Sequence, residues 1–124
     1  MNEQVFRQRT KQLALRVIRV TQALPNNMIA EVIGRQLVKA GTSVGANYRA
    51  ACRSKSTADM IAKLQIVEEE ADETYYWLEL LIEAELMDEE RLQPLLQETN
   101  EITAMIVASI KTLRASQSAS KSKI

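Results

Sequence analysis

The chain has no histidine and a single cysteine, Cys52, among its 124 residues. A disulfide within the chain is therefore impossible, and a reducing compartment is the simplest expectation. Without histidine there can be no Ser-His or Cys-His nucleophile pair, and the Glu-x-x-His ligand spacing of di-iron helix bundles cannot occur. We therefore expect a protein that is not an enzyme, with no catalytic residues and no cofactor.

Glycine, proline and aromatic residues are also scarce, with three Gly, two Pro and 4% aromatics. A β architecture would need more turn residues and more aromatics. The sequence lacks a run of about 18 apolar residues, and its N-terminus has no apolar stretch long enough for a signal peptide. With 46% hydrophobic and 26% charged residues, the composition predicts one cytoplasmic domain that does not enter a membrane.

Apolar residues recur every three or four positions through four long segments, which is the pattern of amphipathic helices. We predict helices over residues 3–24, 27–53 and 56–86, and a fourth that begins either with the acidic residues 88–90 or at Pro94 and ends near residue 115. Their predicted buried residues are Phe6, Thr10, Leu13, Val17, Val20 and Leu24; Ile29, Ile33, Leu37, Ala40, Val44, Tyr48 and Ala51 or Cys52; Met60, Leu64, Val67, Ala71, Thr74 or Tyr75, Leu78 and Leu81 or Ile82; and Leu92, Leu95, Thr99, Ile102, Ile106, Ser109 or Ile110 and Leu113. The fold class is thus all-α, an up-down-up-down four-helix bundle over residues 1–115, followed by a flexible, weakly basic tail over residues 116–124.

The third helix carries a second line of residues beside its apolar seam. These residues are Ile66, Glu70, Glu73, Trp77, Leu80 and Ala84, and the first five are the candidate subunit-interface residues. A helix with two such lines has two sets of neighbours, so we interpret this one as a contact with a further helix or with another subunit. Glu70 and Glu73 are interpreted as ion-pair residues of that interface, with Arg35, Lys63 or an arginine of another subunit as the counter-ion, rather than as an acid and base couple.

Five acids crowd into residues 68–73 of the same helix. Carboxylates one turn apart can bind a hard cation, but five of them in six residues point around much of the helix. Most are therefore expected to be solvated or paired, and no metal site is predicted.

The zero net charge hides a separation between the two halves of the chain. Residues 1–63 hold eleven Lys or Arg against three acids, whereas residues 64–124 hold five against thirteen. The candidate nucleic-acid-binding residues are the outward cations of the first two helices, Arg9, Arg16, Arg19, Arg35, Lys39, Arg49 and Arg53. They could track a phosphate backbone, with the stripes of the two helices merging into one patch, or they could be solvated or paired with the acidic half of a neighbour.

Three phrases carry a resemblance to a known family: LPNNMIAEVIGRQLVKAGTSVGANYRAACRSKS, ADMIAKLQIVEEEADETYYWLELLIEAEL and NEITAMIVASIKT. The chain resembles the proteins encoded in intervening sequences of bacterial 23S rRNA genes, and the resemblance implies a four-helix bundle that assembles into a homopentamer. More distantly, it is similar to the pentameric accessory protein of diversity-generating retroelements, which binds nucleic acid and a reverse transcriptase. Two positions depart from the family pattern: Ala50 stands where Glu is common, and Glu85 where Gly is common. The resemblance implies no assigned biochemical activity.

Two functions follow as hypotheses. In the first, a homo-oligomer binds RNA or DNA through the basic residues of helices 1 and 2, with a reverse transcriptase as one candidate protein partner. In the second, the oligomer is a protein–protein assembly module that binds no nucleic acid. High salt should release nucleic acid in the first case and loosen the oligomer in the second.

Overall fold

A computed structural model of the protein describes residues 2–122 and contains, in that range, four α-helices and no strand. The helices are α1 (Glu3–Gln22), α2 (Met28–Ala51), α3 (Thr57–Glu83) and α4 (Glu89–Ser122). Each helix packs along the one that follows it, and α1 meets α4 over a smaller area. Because the connections are only five residues long, consecutive helices run antiparallel, and the predicted all-α bundle of four helices is confirmed.

The first three helices begin where the capping residues predict. The side chains of Asn2, Asn27 and Ser56 accept hydrogen bonds from the backbone N–H groups three residues later, at 3.1, 2.9 and 3.0 Å. Each bond satisfies one of the donors that a helix start leaves without an intrahelical partner. After α3, Glu85 has a φ of 59°, the left-handed region that favours glycine. The departure of Glu85 from the family pattern therefore falls on a residue whose backbone conformation suits glycine.

The fourth helix differs from the prediction at its end. It begins with the acidic turn at Glu89 and includes Pro94, so the first of the two predicted starts is right. Only the carbonyl of Glu90 loses its helical donor to the proline, and Glu90 is exposed to water. The helix then continues to Ser122 instead of giving way to a flexible tail at residue 116, because the segment holds no Gly or Pro and loses only its apolar periodicity. Lys123 and Ile124, the end of that predicted tail, lie outside the described residues.

The core is one cluster to which all four helices contribute, and it follows the predicted seams. Phe6, Leu37, Val67 and Ile102 are among the fully buried side chains. The exception is Ile29, which is 54% exposed while its neighbour on the chain, Ala30, is buried. Predicted positions near the ends of the bundle are half-buried: Val20, Leu24, Cys52, Met60 and Leu113.

Helices α1 and α2 approach each other closely at two glycines. A Cβ built on Gly41 would lie 2.8 Å from Cγ2 of Val17, and one built on Gly45 would lie 3.3 Å from Oγ1 of Thr10. Neither separation leaves room for a side chain without a shift of the neighbour. The glycines thus sit inside one continuous α2, as predicted, and bring the two basic helices together.

Candidate nucleic-acid interface

The two flanks of α1 carry different cations. At 100° per residue, Arg9 and Arg16 point in nearly the same direction, and Arg9 contacts α4. Arg7 and Lys11 point the opposite way and line a groove with α2. The predicted merger with the cations of α2 is therefore wrong for Arg9, which pairs with α4 instead.

Arg9 clamps α1 to α4. Its Nε donates to Oε2 of Glu98 at 2.7 Å and its Nη2 to Oε1 of Glu98 at 2.8 Å, a bidentate pair whose side chains are only 28% and 19% exposed. Nη2 also reaches Oε1 of Glu101 at 3.0 Å, and Nη1 lies 3.1 Å from Sδ of Met105. The bond to Glu98 raises the pKa of Arg9 further above its usual value. Arg9 is therefore a structural cation and not a member of an outward basic stripe.

The other predicted cations differ in how far they are neutralised. Arg35 forms an exposed ion pair with Glu31, one turn earlier on α2. Arg16 is half-buried, whereas four further cations are exposed: Arg19, Lys39, Arg49 and Arg53. Within residues 2–122, no carboxylate forms a salt bridge with these five residues. The positive charge of the first two helices is thus largely unneutralised inside one subunit.

A groove between α1 and α2 gathers cations from both helices. Arg7 and Lys11 stand on its α1 wall and Arg49 on its α2 wall, around a volume of about 470 Å³. The remaining lining residues are neutral: Gln4, Gln8, Ala14, Thr42, Gly45 and Ala46. In the described part of the chain, none of the three cations forms a salt bridge. We call this the cationic groove.

Sequence reasoning assigned Arg49 to the interface but missed Arg7 and Lys11. It selected the stripe of Arg9, Arg16 and Arg19 on one side of the apolar seam, whereas Arg7 and Lys11 lie on the other side of that seam. The signal that could have found them is the spacing of Arg7, Lys11 and Ala14, at i, i+4 and i+7, which forms a line of its own beside the seam.

A second groove continues along the same flank toward the other end of the bundle. It encloses about 570 Å³ and is lined by Thr21, Leu24, Pro25, Asn26, Asn27, Ala30, Glu31, Gly34, Arg35, Val38 and Lys39. The α2 residues at 35, 38, 42, 45 and 49 follow one another at helical spacing, so both grooves lie on one side of α2. Because Glu31 pairs with Arg35, the cationic groove is the more positive of the two.

The residues predicted at a subunit contact lie at the edge of the core. Ile66 is 41% exposed and Glu73 is exposed, whereas Glu70, Trp77 and Leu80 are half-buried. Trp77 and Leu80 also pack against the intrachain core. The indole N–H of Trp77 is buried and finds no acceptor among the described residues. This line of α3 is therefore shared between the core and the surface.

Within one subunit, neither Arg35 nor Lys63 is the counter-ion of Glu70, and an arginine of another subunit stays a prediction. Lys63 pairs with Asp59 at 3.0 Å, and Arg35 pairs with Glu31. Burial and the charge of Glu73 raise the pKa of Glu70, and Lys39 on α2 partly offsets this. Lys39 is thus the cation that acts on Glu70 within one subunit.

The structure gives little support to a reactive cysteine, a metal site or a membrane-spanning helix. Burial raises the pKa of the half-buried Cys52 thiol to about 11, which keeps the thiol protonated and unreactive near neutral pH. Over residues 2–122, no three or more Asp, Glu or Cys side chains come together to hold a metal ion. Every helix in this range falls short of the combined length and apolarity that a membrane crossing requires.

Comparison with known proteins places the chain in a family. These observations describe an all-α bundle of four helices with one cationic flank, and the model of the family called 23S rRNA-intervening sequence protein matches residues 2–108. The chain belongs to that family. A crystal structure of a protein of unknown function from the S23 ribosomal protein family of Bacteroides thetaiotaomicron is 36% identical, with a TM-score of 0.83, and the match covers 90% of this chain and 99% of that one. No curated protein matches the chain.

Proposed function

We propose that the protein is a non-enzymatic, homo-oligomeric scaffold of the cytoplasm that binds RNA or DNA through basic residues of α1 and α2. The observation that carries the proposal is the set of exposed cations on these helices that form no salt bridge within the described chain. Phosphate backbones bind such surfaces through charge and counterion release. Contacts of this kind position a nucleic acid without reading its sequence.

Self-association is the second part of the proposal, with five subunits as the number that the resemblance implies. The half-exposed line of α3, with Trp77 and Leu80, supports an interface there. Met28, Ile29 and Val32, in the first turns of α2, are 73%, 54% and 55% exposed. Since α2 and α3 run antiparallel, these apolar side chains lie at the same end of the bundle as Trp77 and Leu80. Exposed apolar side chains and a partly buried Trp are both typical of residues at an interface.

Assembly would strengthen a weak contact. A few phosphate contacts per subunit give only modest affinity at physiological salt. Repetition of the same cations around a closed oligomer makes the later contacts intramolecular, which raises the overall affinity without any base-reading residue.

The alternative function is an assembly module whose partners are proteins, with a reverse transcriptase as one candidate. The clamp of Arg9 on Glu98 and Glu101 favours this alternative, since it neutralises a cation of the basic half with acids of the other half. If neighbouring subunits paired the remaining cations in the same way, no basic surface would be left for nucleic acid.

Fluorescence anisotropy of labelled RNA and DNA with the purified protein, at low and near-physiological salt, tests the proposal. The mass in solution should be recorded under the same conditions. We expect binding that weakens steeply with salt while the mass stays at five subunits. Replacing Trp77 by Arg together with Leu80 by Glu should yield a smaller, still helical species that binds more weakly.

Two results would contradict the proposal. An intact oligomer that binds no nucleic acid even at low salt would leave the assembly module as the function. An unchanged mass of the Trp77→Arg, Leu80→Glu variant would remove this line of α3 from the interface.

A further inference from the structure

We propose that the cationic groove is a phosphate-binding site that holds one phosphodiester backbone of the bound nucleic acid. This inference rests on the proposed function and narrows it to three side chains, Arg7, Lys11 and Arg49. Two of the three were not among the residues that sequence reasoning selected.

The placement of the three cations suits a chain of phosphates. Arg7 and Lys11 are one turn apart on α1, about 6 Å along the helix axis. Arg49 stands on the facing wall. A backbone that lies in the groove therefore meets positive charge from both sides, whereas an anion on the outside of either helix meets it from one side only.

The neutral residues of the groove can complete the contact. Gln4 and Gln8 are exposed and offer amide donors to phosphate and sugar oxygens, and they form no hydrogen bond with another described side chain or carbonyl. Thr42 donates to the carbonyl of Val38 at 2.7 Å, so its oxygen remains free to accept. No carboxylate lines the groove, so nothing there repels a phosphate.

The small residues of the groove leave room for a backbone. Ala14 of α1 and Gly45 and Ala46 of α2 complete the lining with short side chains or none. At Gly45, where a Cβ would lie 3.3 Å from Oγ1 of Thr10, α2 lies close to α1. The helices therefore stay close together at this point of the groove, and longer side chains at Ala46 would fill the volume that a backbone needs.

Charge removal with a matched control tests the site. One variant carries Arg7→Gln, Lys11→Gln and Arg49→Gln; the control carries Arg91→Gln, Lys111→Gln and Arg114→Gln. The control removes the same charge from exposed cations of α4. Both are compared with the wild-type protein in salt titrations against a single-stranded RNA, an RNA duplex and a DNA duplex of equal length.

The groove variant should lose affinity far more than the control at equal salt. Each lost phosphate contact lowers the slope of log K against log salt by about 0.7 for a single strand and 0.9 for duplex DNA. We therefore expect a fall of about 2 to 3 in the slope for the groove variant and of less than about 1 for the control. The largest loss among the three nucleic acids identifies the form that the groove holds.

A variant that changes the shape of the groove but not its charge distinguishes binding in the groove from attraction by a diffuse positive field. Ala46→Leu fills the groove without changing charge and keeps a good helix former. The matched control is Ala62→Leu on the exposed face of α3. We expect Ala46→Leu to weaken binding at least several-fold and Ala62→Leu to leave it unchanged, with circular dichroism and mass unaltered in both.

Inorganic tripolyphosphate provides a readout that needs no nucleic acid. It should displace labelled RNA from the wild-type protein and lose this effect in the groove variant. Equal losses of affinity in the two triple variants, or normal binding by Ala46→Leu, would contradict the assignment of the cationic groove as the phosphate-binding site. Either result would leave nucleic-acid binding itself in place. Absence of binding by the wild-type oligomer at low salt would overturn the proposed function and the groove together.

Discussion

The two flanks of α1 hold the helix in different ways. On the α2 flank, Gly41 and Gly45 let the backbones approach until Val17 and Thr10 fill the gap. On the α4 flank, where the helices share a smaller area, Arg9 crosses to Glu98 with bonds of 2.7 and 2.8 Å. On the α2 flank, where close packing joins the helices, Arg7 and Lys11 form no salt bridge with another described residue. On the α4 flank, where the helices contact each other less, the salt bridge of Arg9 joins them.

This difference shows why a count of charges does not locate a binding surface. Arg9 and Lys11 are two residues apart and add the same charge to the basic half of the chain. Arg9 is neutralised by two carboxylates, whereas Lys11 and Arg49 line a groove to which no carboxylate contributes. The electrostatic field that a ligand meets at α1 depends on which flank of the helix it approaches. It does not follow from the net charge of that half of the chain.

The largest effect is expected from the close contact on the α2 flank. Gly41→Ala should lower the free energy of unfolding by about 1–3 kcal/mol, because the new Cβ would meet both branches of the stiff, fully buried Val17. Urea denaturation at a fixed subunit concentration measures it, since the stability of an oligomer depends on concentration.

The matched control is Gly34→Ala on the same helix. There the new Cβ would lie 3.3 Å from the end of the half-buried Leu24 side chain, which can move. Better helix propensity should make this variant more stable, by at most about 1 kcal/mol. Equal stability of the two variants would show that the α1–α2 contact is not as close as described.

A smaller effect is expected from the clamp on the α4 flank. Arg9→Gln should lower the free energy of unfolding by about 1–2 kcal/mol, because it leaves the half-buried carboxylate of Glu98 without its bidentate partner. Arg16→Gln, on the same flank and without a salt bridge in residues 2–122, should change it by less than about 0.5 kcal/mol.

A double-mutant cycle isolates the clamp from other effects of the arginine. Glu98→Gln in the Arg9→Gln background should cost much less than Glu98→Gln alone, since the pair is already broken. Additive losses would mean that Arg9 stabilises the bundle through the contact of its stem with α4 rather than through charge.

The apolar pattern predicted the fold because burial follows directly from helical spacing. Leu37, Leu64 and Ile106 are buried as expected. Ile29 is the exception, since near a helix end a small residue such as Ala30 can take the buried position. The continuation of α4 to Ser122 was not predicted, because periodicity reports what a helix packs against and not where it ends.

The candidate site was predicted less well than the fold. Arg49 was selected correctly as an exposed cation, but Arg9 was not, since an ion pair between α1 and α4 depends on rotamers and on residues about 90 positions apart. Arg7 was missed because the flank that faces α2 is fixed only when the helices are assembled. Spacing along one helix shows which residues lie on the same side of that helix. Which neighbouring helix this side contacts depends on the assembled bundle.

The smallest expected effect is on the free energy of unfolding, which repulsion between Arg7 and Lys11 lowers. Arg7 and Lys11 are like charges one turn apart with no carboxylate in the groove, and such a pair destabilises a helix by about 0.2–0.5 kcal/mol. Lys11→Gln should therefore raise the free energy of unfolding by that amount at low salt, opposite in sign to Arg9→Gln. The gain should vanish at high salt, where the repulsion is screened. A loss of stability in Lys11→Gln, at either salt, would mean that Lys11 has a stabilising partner like that of Arg9, and the two flanks would then be alike in how they use their cations.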